Sequence, residues 1–155
     1  MARILENLCK ALALAGGAVL AALALMSVAS IVGRVAGRPI QGDFELVQFG
    51  CAVAIAFFLP YCQLMRANII VDFFTVRSSA RTQRALDAGG GLLLAVSMAL
   101  LAWRTGAGTL AMEAGGETSM IMSVPLWYAY AAMTPGFGLA ALAGLHSAWL
   151  DWRAR

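Results

Sequence analysis

The sequence predicts an all-α integral membrane protein: one domain over residues 1–155, with four transmembrane helices and both termini in the cytoplasm. Three observations lead there. First, the chain is 61% hydrophobic and only 12% charged, with a mean hydropathy of +0.79, whereas a soluble domain is nearer half apolar and a quarter charged. Second, the charges are segregated, with none in 11–33, 46–65, 88–103 or 118–150. About 20 apolar residues cross a hydrocarbon core of roughly 30 Å, so these runs place spans at about 11–33, 44–65, 86–108 and 124–150. Third, the basic residues are asymmetric. With the N-terminus inside, Arg3, Lys10, Arg66, Arg77, Arg81, Arg84, Arg153 and Arg155 fall in cytoplasmic segments, and only Arg34, Arg38 and Arg104 outside. That split obeys the positive-inside rule. The net charge of +3 is therefore a topology signal, and nothing in it calls for nucleic acid.

The first span is rich in Ala, Leu and Gly. Ala13, Gly17 and Ala21 recur every four residues as a small-residue face, which lets helices approach closely in lipid. Its basic start and the Ser27-Val28-Ala29 stretch resemble a cleavable signal, but the apolar run is longer than an ordinary signal core. Between spans one and two comes "GRVAGRPIQGDFE". Asp43 and Glu45 fall in the first turn of span two, where a helix N-terminus stabilises carboxylates. Asp43 reads as the capping acid. Glu45 is expected to pair with Arg34 across the short outer loop, or with a base on another protein.

After span two, "RANIIVDFFTVRSSARTQRALD" is not simply polar. Arg77, Arg81 and Arg84 share a helical face, preceded by Ile69, Ile70, Val71, Phe73 and Phe74. This reads as a short amphipathic segment in the inner interface, with Phe73 and Phe74 among acyl chains and the arginines toward anionic headgroups. Arg66 and Asp72 would fix the turn into it. The third run is short but continues past Arg104 to Met112, so a lone arginine near the end of the span can snorkel. Span four is expected to open on Ser123-Val124-Pro125, with proline tolerated in a first turn. Trp127, Tyr128 and Tyr130 follow as an interfacial belt. Pro135-Gly136 is expected to shape the helix near mid-depth. Gly136, Ala140, Gly144 and Ala148 form the longest small-residue face, and this face is the first candidate for contact with another protein, helix one the second.

Several chemistries lack their residues. His146 is the one histidine, so a bis-His haem cannot be built. Cys9, Cys51 and Cys62 make no CxxC pair and read as small buried hydrophobes. No Ser-His-Asp or Walker pattern occurs. A pump needs an ionisable group near mid-membrane, and every glutamate here lies at a span edge or beyond, unlike the embedded glutamate of small multidrug exporters. An enzyme is not expected, and no cofactor or metal.

Taken in order, "GRVAGRPIQGDFELVQF…LMRANIIVDFF…RTQRALD" resembles the small membrane subunit (DctQ-type) of tripartite ATP-independent periplasmic (TRAP) transporters, across nearly the whole chain. The matching positions are Arg34 after helix one, Pro39, Glu45 opening helix two, and Arg66 closing it. They continue with Asn68-Ile69-Ile70-Val71-Asp72, Leu86-Asp87, Pro125-Leu126-Trp127-Tyr128-Ala129-Tyr130 and Pro135-Gly136-Phe137-Gly138. Asn68 stands where the family has histidine, Gly42-Asp43-Phe44 replaces a tryptophan-bearing approach, and Leu59-Pro60 replaces a small glycine-type pair. The resemblance implies a scaffold in the bacterial inner membrane. Its partners would be a large membrane subunit, which carries the substrate and sodium sites, and a periplasmic substrate-binding protein that delivers an organic acid. The other readings are a self-contained homo-oligomeric transporter or channel, which needs an ionisable pore residue at mid-depth, and a membrane enzyme, which needs paired cysteines or histidines.

Overall fold

The structure, a computed structural model, describes residues 2–38, 40–65 and 80–153. Among these residues are four helices: α1 (Ala2–Val35), α2 (Asp43–Leu64), α3 (Ala80–Gly115) and α4 (Trp127–Arg153). All four expected helices are present, and their ends differ in an informative way. Charge-free runs mark the slab of hydrocarbon, but a helix continues into water as long as its backbone bonds are made. So α1 begins at Ala2 and carries the exposed Glu6–Lys10 pair on its first turns. For the same reason α3 begins at Ala80, so that Arg81 and Arg84 belong to its backbone.

Two helices stop on glycine by the same device. Gly37 (φ 72°) and Gly116 (φ 62°) adopt the left-handed conformation. Arg38 N–H then bonds Gly33 O, and Gly37 N–H bonds Arg34 O. Glu117 N–H likewise bonds Met112 O, and Gly116 N–H bonds Glu113 O. Both are Schellman closures, which satisfy the last carbonyls of a helix. α3 therefore runs to Gly115, further than the charge pattern suggests, and this moves Arg104. It lies not near the end of a span but about 16 Å along the helix before Gly115, where α3 ends.

The helices stand in a single row, in the order α1, α2, α4, α3. The main contacts are α1 with α2, α2 with α4, and α4 with α3. Among the described residues α3 packs on α4 alone. The α1–α2 and α3–α4 pairs are antiparallel, and α2 runs parallel to α4. Three of the helical stretches are long and apolar enough to cross a membrane: Arg3–Val35, Asp43–Leu64 and Gly89–Gly115. α4 is not among them. Thr134, Pro135, His146 and Ser147 dilute its hydropathy, and of these Ser147 is buried against its neighbours while Pro135 is exposed.

Small residues set the spacing in this row. Gly136 of α4 lies against Ala56 of α2 so closely that a Cβ on it would run into the Ala56 carbonyl oxygen. That carbonyl is special, because its usual helical donor would be the N–H of residue 60, and residue 60 is proline, buried within α2. A glycine Cα brought up to a freed carbonyl suits the weak C–H···O contact common at helix interfaces. Further along α4 the partner changes. A Cβ on Gly144 would lie 3.0 Å from the Ala95 Cβ, and Ala148 lies beside Gly91, both on α3. The expected face Gly136–Ala140–Gly144–Ala148 is thus split between α2 and α3, because each four-residue step turns about 40° around a helix of 3.6 residues per turn. Ala140, Ala143 and Gly144 are buried. This face is used up inside the chain and is not free for another protein.

On α1 the residues that pack within the chain are not those of the small-residue face. The packed seam is Cys9, Gly16, Leu23 and Ser30, at seven-residue intervals. Cys9, Gly16 and Ser30 are buried, Gly16 meets Phe57, and Leu23 covers Gly50. Gly17, from the expected small face, has nothing near it. Of the three cysteines only Cys9 is buried; Cys51 is half-buried and Cys62 exposed.

Candidate functional site

The polar groups that join helices gather at the Asp43 end of α2. Asp43 and Glu45 are two residues apart, which puts their side chains about 200° apart around the helix. In a row, that aims one at each neighbour. Asp43 Oδ2 accepts a hydrogen bond from Ser30 Oγ at 2.5 Å and one from Arg34 Nη2 at 2.6 Å, both on α1. Its other oxygen accepts from Phe44 N–H at 2.9 Å, but the N-cap position is Gly42 and has no side-chain cap bond, so Asp43 is not the capping acid that the sequence suggested. The expected partnership is thereby corrected. Arg34 pairs with Asp43, the acid on the α1 side, and not with Glu45, which points the opposite way.

Glu45 instead holds the connection between α3 and α4. Its two oxygens accept the backbone N–H groups of Ile121 (3.0 Å) and Met122 (3.1 Å). Bonds to a charged acceptor are among the stronger ones. The 116–126 segment they hold is a small hairpin. Thr118 and Pro125 form an isolated bridge. Ser119 N–H bonds Val124 O at 2.8 Å, Leu126 N–H bonds Glu117 O at 3.0 Å, and the buried Ser119 hydroxyl accepts from Val124 N–H. Met122 folds over Gly42, which has φ 74°. This ladder is why α4 starts later than expected. Pro125 and Ser123 (φ 53°) are part of the hairpin, not of the first helical turn.

The remaining candidates divide by place. Trp127 and Tyr128 open α4 with their rings stacked at 4.0 Å, and Tyr128 is exposed. Pro135 is exposed within α4, and one turn back Thr134 Oγ1 bonds Tyr130 O. Gly136, Ala140 and Gly144 are packing positions, as described. Arg66, Asp72, Phe73, Phe74 and Arg77 lie outside the described residues. Ser30 and Ser119 are site residues that sequence reasoning missed. Ser30 had a readable signal, because it lies one turn before Arg34 on the same face of α1. Ser119 had none, because its role depends on a hairpin closed by distant residues.

Arg104 stands apart from this cluster. It is exposed on α3 and makes no ion pair with any described residue. A charged side chain at the bilayer centre costs at least about 2.5 kcal/mol. Among the described residues, no three His, Cys, Asp or Glu side chains converge as a metal site would require. The arrangement at the Asp43 end ties helices together.

Comparison with protein families gives a match over most of the chain. The family described as "Tripartite ATP-independent periplasmic transporters, DctQ component" covers residues 23–154. Comparison with curated proteins and with solved structures gave no match.

Proposed function

Because the chain belongs to the DctQ component family of tripartite ATP-independent periplasmic transporters, we propose that it is the small membrane subunit of such a transporter. It acts as a scaffold that binds the large membrane subunit in sodium-coupled, binding-protein-dependent uptake of an organic acid. It resides in the bacterial inner membrane with four spans, α4 included, since α4 is held lengthwise between two membrane-length helices. Both termini are cytoplasmic, and the Asp43 end with its hairpin faces the periplasm.

The observation that carries this reading is the single row. Helices in a row enclose no lumen, so one copy has no interior through which a solute could pass. Few residues of its membrane-length stretches are buried by the chain itself, which leaves broad helical faces to be covered by lipid and by a larger protein. The arginine asymmetry supports the orientation.

The test is affinity purification from native membranes in mild detergent. A stoichiometric polytopic partner is expected. A homogeneous homo-oligomer without one, able to move ions in liposomes, would overturn the reading. Orientation is checked separately with a cysteine at Met120, at the exposed tip of the hairpin, in a chain lacking its native cysteines. An impermeant maleimide should label it from the periplasmic side of intact cells.

A further inference from the structure

Arg104 is the one charge within the Gly89–Gly115 stretch away from its edge. The register between α3 and α4 fixes its depth. Gly91 lies beside Ala148, Gly106 beside Thr134 and Gly108 beside Tyr130, so Arg104 is level with Pro135 and Gly136. Gly136 in turn rests on Ala56 of α2. At 1.5 Å per residue, Ala56 is about 20 Å from the Asp43 end of α2 and about 12 Å from the Leu64 end. The guanidinium is thus further from either end than its own side chain reaches.

It is exposed, and the side of α3 that carries it has no partner in the chain, since α3 packs on α4 alone among the described residues. On the adjoining side of α3, Trp103, Gly106, Ala107 and Leu110 meet Ala131 and Thr134 of α4 around an open groove of about 710 Å³ that Arg104 borders without lining it. Its walls are apolar and several of its residues are small, which admits a helix at close range. An aromatic anchor beside a charge is the usual composition of an energetic centre in an interface.

We propose that this α3 face is where the large membrane subunit docks, with a carboxylate on one of its transmembrane elements paired to Arg104. The inference rests on the function proposed above and adds to it the face and the chemistry of the contact. Charge complementarity selects this occupant. A charge at mid-depth requires an opposite charge or carbonyls at that depth. A second copy in the same orientation does not supply the acid, because on the described helices Glu6, Asp43, Glu45, Glu113 and Asp151 all lie more than about 12 Å along the helix axis from the level of Arg104. Lipid cannot supply it either, because headgroups lie at the surface.

The test uses the whole complex in native membranes. Arg104→Leu removes the charge without burdening a lipid-facing position, so an arginine that merely faced lipid would be replaced at no loss. Recovery of the large subunit with Arg104→Leu is expected to fall at least tenfold while the membrane level of this chain holds, and Arg104→Lys is expected to retain most of it. A photo-crosslinker at Leu100, one turn away on the same exposed face, should capture the large subunit, while one at Leu14 on α1 should not. Wild-type recovery with Arg104→Leu would overturn the inference alone. So would capture from Leu14 but not Leu100, or capture of a second copy at Leu100. If the unaltered chain brings down no polytopic partner at all, the proposed function itself fails.

Discussion

α1 and α4 are built from the same few residue types and are used in opposite ways. α1 contains the most apolar stretch of the chain, yet few of its residues, Cys9, Gly16 and Ser30, are buried by the protein. α4 is less apolar, interrupted by Thr134-Pro135-Gly136, and is covered on two sides, with Gly136, Ala140, Ala141, Ala143, Gly144 and Ser147 all buried. In water the more hydrophobic helix would be the inner one. In lipid the solvent is itself apolar, so hydropathy marks what faces solvent, and small size marks what faces protein.

The largest way to break this contrast is Gly136→Leu. The side chain would have to occupy the place of the Ala56 carbonyl, so α2 and α4 should separate and the purified chain should lose its monodisperse size-exclusion peak. Gly136→Ala is milder but still overpacks, by roughly 1–3 kcal/mol, read as a lower melting temperature in detergent. Gly144→Leu should act next most strongly, and on the α3 contact alone. Disulfide trapping between cysteines at positions 91 and 148 would then fail, while trapping across α1 and α2 persists.

Changes at the Asp43 end should be smaller. Glu45→Ala removes both acceptors of the hairpin, so amide exchange at Ile121 and Met122 should speed up markedly while the helices remain. Asp43→Asn should cost less than Glu45→Ala in melting temperature, because Arg34, its charged partner, is 61% exposed and such pairs are screened by water. At the bottom of the scale, Gly17→Leu should leave stability unchanged, since a side chain there enters open space. A large effect of Gly17→Leu on the isolated chain would contradict the row.

The helices were legible in the sequence because charge-free runs are dictated by the thickness of hydrocarbon. Their ends were less so, since Arg3, Lys10, Arg81, Arg84 and Glu113 are charged yet helical. The composition of the candidate site was legible too: Arg34, Asp43 and Glu45 are conspicuous in a chain with so few charges. Their pairing was not. Which acid meets Arg34 depends on α2 having α1 on one side and the 116–126 hairpin on the other, and neighbour order is not written in a one-dimensional pattern. The same gap misplaced the small residues of α4, since a face drawn at fixed spacing drifts around the helix and served two partners. Gly16 escaped notice on α1 because its seam repeats every seven residues and not every four.

A wall one helix thick has mechanical consequences. It resists bending across its helices, which would strain their backbone bonds, but it can curve about lines that run along its seams. Directional, charge-assisted bonds strap the seams at the Asp43 end, whereas around Gly136 and Gly144 they rest on contacts between small side chains, which hold distance without fixing angle. The compliance is therefore graded: such a wall is stiff at its strapped edge and yields more toward its middle, and it takes its curvature there from whatever body it is pressed against.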